Sequence, residues 1–266
     1  MLRSIVKTLV PVPVRSALLR YSDHVLWMCD PRRRISQRRL RAMRDIGQGR
    51  RCFIMGNGPS LNRTDLTLLC DEHTFGLNRI YLLFEKMGFA TTYLVCNDPL
   101  VLEQFGHEID AQPMPRFINL AGRRHVALHD NVAYLRAPTR PLQAFSTDAS
   151  RWVWGGWSVT FVALQVAYYL GYDQAILIGV DHSGKIRKKP NEVTTVDGDD
   201  PDHFAPNYFG GGAKFTTANT DETEKAYAMA RRAWEADGRS VLAATVGGKL
   251  EVFPKVEYTS LFESRL

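Results

Sequence analysis

No two cysteines stand at Cys-x-x-Cys spacing: the four in the chain, Cys29, Cys52, Cys70 and Cys96, are scattered, and three of them sit in apolar segments. There is no disulfide framework to read, and a reduced, cytoplasmic chain is the expectation. No apolar run reaches the roughly 18–20 residues that span a bilayer, and no small-residue cleavage site follows a continuous apolar core as in a signal peptide. No Gly-rich turn continues into Gly-Lys-Ser/Thr, which excludes a P-loop, and the full Gly-x-Gly-x-x-Gly of dinucleotide folds is also missing. Internal repeats are absent.

What is present is enough for one large core. The 266 residues are 45% hydrophobic and 11% aromatic, which fits a single α/β domain with appendages better than two full domains. The net charge of +6 is unevenly spread: residues 1–51 hold thirteen Lys/Arg against three Asp, so the rest of the chain is acidic on balance. A nucleic-acid partner is therefore not expected. The basic segment, residues 1–50, mixes these charges with Leu, Ile and Val and is broken by Pro11 and Pro13. Two readings fit it: an amphipathic surface lying on an anionic membrane, on the inner face of the cell membrane, or basic helices packed on the domain.

From residue 51 onward, short apolar runs alternate with helix-like stretches, the pattern of a doubly wound, Rossmann-like, mostly parallel sheet. Strands are predicted at Cys52–Met55, Thr74–Leu77, Thr92–Cys96, Arg116–Leu120, Ala133–Leu135 and Ala175–Gly179. Helices are predicted at Asp65–Leu69, Ile80–Lys86, Pro99–Phe105, Trp157–Leu170 and Asp221–Ala236, the last with Asn219 and Glu222 as a capping box. The Trp157–Leu170 stretch has few charges on any face and should be buried. A polar, Gly/Pro-rich stretch at 184–217 is longer than a connector needs. Its aromatics and His203 suit a lid over a ligand edge. The tail Thr245–Phe253 reads either as a terminal strand or as a loop returning to the site.

The first strand runs into Gly56-Asn57-Gly58-Pro59-Ser60, a strand-to-helix turn where glycines admit close backbone approach and helix N–H groups favour an anion. Asn57, Asn78 and Asn97 each follow a strand in succession. One such Asn is usually a turn residue; three at neighbouring strand ends would line one crevice, and neutral amides suit recognition of a base and ribose. Asp181 and His182 stand at the carboxyl end of Ala175–Gly179, the edge where open α/β sheets hold ligands.

The order Gly-Asn-Gly-Pro-Ser-Leu, an Asn after the second strand, Asn-x-Pro after the third, a buried helix ending Leu-Gly-Tyr, then a strand and Gly-x-Asp is similar to the bacterial sialyltransferases of glycosyltransferase family 42. It also resembles the MptE-like (DUF115) group, to which the His203–Gly210 and Thr245–Phe253 stretches are closer. The resemblance covers about residues 51–262. It implies that Asn57, Asn78 and Asn97, with Ser158 or Thr160, contact the CMP part of the donor; Gly56, Gly58, Ser60, Asp98 and Tyr208 complete the expected nucleotide-donor site. The general base of the sialyltransferases falls on Gly211 here, so His203 and His182, with Asp181, become the catalytic candidates. The implied activity is transfer of a nonulosonic-acid-type sugar from a CMP-activated donor to a cell-surface glycan or lipid-linked acceptor, with no obligatory cofactor and no metal site. The alternative is a Mg²⁺-dependent pyrophosphokinase of the MptE-like type, with Asp98 and Asp181 as the carboxylates near the metal.

Overall fold

The computed structural model describes residues 25, 27–138, 144–182, 189–195 and 199–265. Helix α1 (Arg32–Ala42) precedes the strands β1 (Arg51–Met55) and β2 (His73–Leu77), short helix α2 (Phe84–Met87), β3 (Tyr93–Cys96), helix α3 (Pro99–Asp110), and β4 (Arg116–Asn119) and β5 (Val132–Leu135). Then come α4 (Val159–Tyr169), β6 (Gln174–Ile178), the antiparallel pair β7 (Val193–Thr195) and β8 (Lys214–Thr216), α5 (Thr220–Ala236) and β9 (Ser240–Ala243).

Seven strands form one sheet in the order β5-β4-β3-β2-β1-β6-β9, with every neighbouring pair parallel. This is the doubly wound, Rossmann-like α/β fold expected from the sequence. Side chains alternate between two cores, as the period of a strand dictates. Cys52 and Ile54 of β1 and Ala175 and Leu177 of β6 face one core with α4 and α5. Phe53 and Met55, with Ile176 and Ile178, face the other, which α3 and the C-terminal Tyr258 and Phe262 cover. Because both faces are covered, the strands read as continuous apolar runs rather than as alternating ones. Helix α4 is buried at every position from Thr160 to Tyr169, as its lack of charge required.

Two expectations change in detail, and the alternative left open for the tail is decided. The segments after β1 and β2 form 3₁₀ turns, Pro59–Arg63, Leu66–Leu69 and Ile80–Leu83, rather than α-helices. The stretch predicted as a lid is a packed cover where it is described: β7 pairs with β8, and Phe204, Tyr208, Phe209 and Phe215 are buried in the second core. Four rings of that size bury more apolar surface than a solvated loop. The tail after β9 is a loop that returns to the site edge, where the Lys249 N–H donates to the Asp181 carbonyl at 3.0 Å.

Within the basic N-terminal region, α1 packs on the sheet. Trp27 and Leu40 are buried, and the buried Ser36 hydroxyl accepts the Tyr134 N–H of β5 at 3.1 Å. Residues 1–24 and 26, half of the segment read as a membrane-facing surface, lie outside the described residues. Among the described residues no helix is long and apolar enough to cross a membrane. Ser36→Ala leaves the Tyr134 amide without its acceptor and is expected to lower stability by about 1–3 kcal/mol in chemical denaturation.

Candidate functional site

The chain winds from β1 toward β5 in one direction and then crosses to β6 on the other side of β1, so the sheet reverses direction between β1 and β6. At such a switch point the two connecting segments diverge and leave a crevice beyond the carboxyl ends of the strands. A cavity of about 1150 Å³ lies there. Asn57, two residues past β1, and Asn78 and Asn97, directly after β2 and β3, all line it, together with Gly56, Gly58, Asp98, Ser158, Thr160, Asp181, His182 and His203. The parallel sheet explains the convergence: every strand presents its carboxyl end to the same edge.

The glycines serve a different purpose from the anion cradle read in the sequence. A Cβ on Gly56 would stand 2.3 Å from the Gly179 carbonyl oxygen, and one on Gly58 would stand 1.8 Å from Asp181 Oδ2. Their absence of side chain lets the turns after β1 and β6 touch. The Gly58 N–H donates to the Gly179 carbonyl at 2.8 Å, and the Ser60 N–H donates to Asp181 Oδ1 at 3.1 Å. These amides are spent inside the protein.

Ser60 does not line the cavity; it is fully buried and its hydroxyl donates to Asp181 Oδ2 at 2.6 Å. Asp181 is thereby a clasp between β1 and β6, with both carboxylate oxygens engaged, and not a free catalytic group. Asp98 is likewise committed: it caps α3 by accepting the Leu100 N–H at 2.8 Å, and burial raises its pKa above the ordinary carboxylate value. Among the described residues no three His, Cys, Asp or Glu side chains converge as a metal-ligand set.

The three carboxamides divide into two kinds. The Oδ1 atoms of Asn57 and Asn78 are buried with no hydrogen-bond partner in the protein. A buried acceptor left unpaired costs free energy, and both residues line the cavity. Asn78 also adopts a left-handed φ of 48°, which Asn tolerates better than most residues. Asn97 is held: the Asn119 Nδ2 donates to its Oδ1 at 3.1 Å and to its carbonyl at 3.0 Å. At the neighbouring wall, Ser158 caps α4 by accepting the Thr160 N–H at 3.2 Å, and its hydroxyl lies 2.9 Å from the Tyr227 hydroxyl.

His203 sits on the cavity wall in a geometry suited to proton transfer. Its Nδ1 lies 2.8 Å from Asp200 Oδ2, and the Asp200 side chain is only 1% exposed while the imidazole is 23% exposed. A carboxylate at Nδ1 fixes the ring and its tautomer and leaves Nε2 to receive a proton. The ring stacks on Tyr208 with centroids 4.1 Å apart and planes 6° apart. Tyr208 is therefore a support and not a donor-binding residue: it is fully buried, does not line the cavity, and its hydroxyl accepts the Arg79 N–H at 3.2 Å. Arg79 completes the column, with its guanidinium bonded to the Tyr208 carbonyl, 3.7 Å from the Phe105 ring centroid and 3.0 Å from Glu108.

His182, the second candidate base, lines the cavity but is tied to α5. Its Nε2 lies 2.8 Å from Glu224 Oε1 of α5, and its backbone is left-handed at φ 52°. Asp200, Asn119 and Tyr227 were not legible as site residues. Asp200 had a local signal, an acidic residue three before a histidine; the other two are ordinary strand-end and helix residues whose partners are distant in the chain.

No protein-family model matches the chain, and no curated protein matches it in sequence. In fold it is similar to the MAf glycosyltransferase of Magnetospirillum magneticum AMB-1, with a TM-score of 0.51 and 13% sequence identity. The likeness covers 86% of this chain but 39% of that one, so the chain spans well under half of that protein's length, and what the two share is the α/β architecture.

Proposed function

We propose that the protein is a glycosyltransferase that moves a nonulosonic-acid-type sugar from a CMP-activated donor to a cell-surface glycan or lipid-linked acceptor. The observation that carries this reading is the meeting, in one switch-point cavity, of three strand-end carboxamides with an imidazole backed by a buried carboxylate. Two orphaned acceptor oxygens, on Asn57 and Asn78, suit the hydroxyl and amino donors of a nucleoside. The fold likeness to a glycosyltransferase is consistent with it.

In this reaction His203 Nε2 takes the proton of the acceptor hydroxyl as its oxygen attacks the anomeric carbon of the donor sugar. The bond from that carbon to the phosphate oxygen breaks, and CMP leaves with the electron pair. Asp200 stabilises the imidazolium that forms. The reaction as proposed requires no metal. Membrane-held acceptors would fit a basic N-terminal segment on an anionic lipid surface.

Thermal-shift measurements with CMP, AMP and ATP, each with Mg²⁺ or with EDTA, test the reading. Stabilisation by CMP that is indifferent to EDTA is expected. Stabilisation by ATP with Mg²⁺ alone would replace the transferase by a pyrophosphokinase.

A further inference from the structure

Trp157 is the one large apolar side chain lining the cavity that is exposed, among the described residues: 39% of it is open to solvent. Its backbone is left-handed, at φ 58°. For a bulky residue that conformation is an outlier that the surroundings must impose, and such strain collects where a side chain is being presented.

The surroundings do impose it. Gln165, buried within α4, accepts the Ser146 and Trp154 N–H groups at 3.0 and 2.9 Å, and it donates to the Trp154 and Phe161 carbonyls at 2.7 and 3.1 Å. Three of its four hydrogen bonds go to the segment that leads into Trp157, and the fourth to a carbonyl of its own helix. Trp154 then meets the Trp157 ring edge-on, with centroids 5.5 Å apart and planes at 86°. Gly156, at φ 54°, passes so close to Phe161 that a Cβ would stand 2.3 Å from that ring. The indole is held open at the rim by a rigid turn.

Asn97 lines the same cavity and reaches the turn that carries Trp157. A Cβ on Gly155 would lie 3.4 Å from Asn97 Nδ2. Because Asn119 donates to the Asn97 oxygen, that Nδ2 is the end of the amide left for a ligand, and it seeks a ring nitrogen or carbonyl acceptor. An aromatic side chain and a fixed donor lining one cavity are the chemistry that recognises a nucleobase.

We propose that Trp157 is the stacking platform for the nucleobase of the donor, and that this fixes the donor's direction along the sheet edge. The base lies at the corner of β3 and the N-terminus of α4, and the phosphate and sugar point toward β1 and β6, where His182 and His203 stand. The proposal rests on the nucleotide-donor reading.

The test is calorimetric binding of CMP and of ribose 5-phosphate, which lacks the base, to the wild-type chain, Trp157→Ala and Trp157→Phe. Trp157→Ala is expected to weaken CMP binding about 10-fold or more, to leave ribose 5-phosphate binding unchanged, and to be largely rescued by Trp157→Phe. Equal CMP affinity in the wild type and Trp157→Ala overturns the stacking while sparing the donor site. Equal losses for both ligands, or failure of phenylalanine to rescue, also overturn it and make Trp157 structural. Unchanged CMP affinity with a raised acceptor KM would move the platform to the acceptor. A wild-type chain that binds no CMP contradicts the donor reading itself.

Discussion

His203→Ala is expected to lower the turnover of the transfer by about 10²–10⁴-fold, the usual contribution of a positioned general base, while leaving the affinity for CMP close to that of the wild type. The split follows from the geometry. His203 lines the cavity but is anchored from behind, by Asp200 at 2.8 Å and by the face of Tyr208 at 4.1 Å. Its loss removes a proton acceptor without moving the carboxamides. Asp200→Asn should slow turnover less than His203→Ala, because the ring stays stacked but its tautomer is no longer enforced. Steady-state rates with a CMP-activated donor, paired with CMP binding constants, separate these effects. Full turnover in His203→Ala would remove it from the chemistry.

Gly56→Ala is expected to destabilise the fold by about 3 kcal/mol or more, at the upper end of what overpacking a core costs. The added methyl would meet the Gly179 carbonyl oxygen at 2.3 Å and its carbon at 2.7 Å. Both belong to the backbone where β1 and β6 part, so no rotamer change relieves the clash. Gly49→Ala is the control: its φ of 74° makes alanine strained, but nothing stands within 4 Å of a Cβ there, and a cost of about 1–2 kcal/mol is expected from the left-handed conformation alone. Denaturant unfolding of the two variants distinguishes packing from strain. Equal losses would mean that the contact between the two turns is not tight.

The central strands were legible because a parallel sheet buries both faces, so each strand shows as an unbroken apolar run. β9, Ser-Val-Leu-Ala, is too short and too mixed to stand out behind a long helix, and β7, Val-Thr-Thr, and β8, Lys-Phe-Thr, are three-residue strands set in a polar stretch. The 3₁₀ turns were read as helices because four or five apolar residues do not distinguish a period of 3.0 from one of 3.6. The convergence of Asn57, Asn78 and Asn97 was legible for a topological reason, since each follows a strand of one parallel sheet. The pairing of Ser60 with Asp181 was not, because it joins residues 121 positions apart. For the same reason Asp181 and Tyr208 looked like site groups when their polar atoms are spent holding the scaffold.

The measurement closest to the central claim is titration of CMP into the wild-type chain and into Asn57→Ala and Asn78→Ala, the two residues whose buried oxygens lack a partner. Each substitution is predicted to weaken binding by about 1–3 kcal/mol, the cost of leaving a buried ligand group unpaired. CMP binding that is unchanged in both variants would show that these carboxamides do not hold the nucleotide.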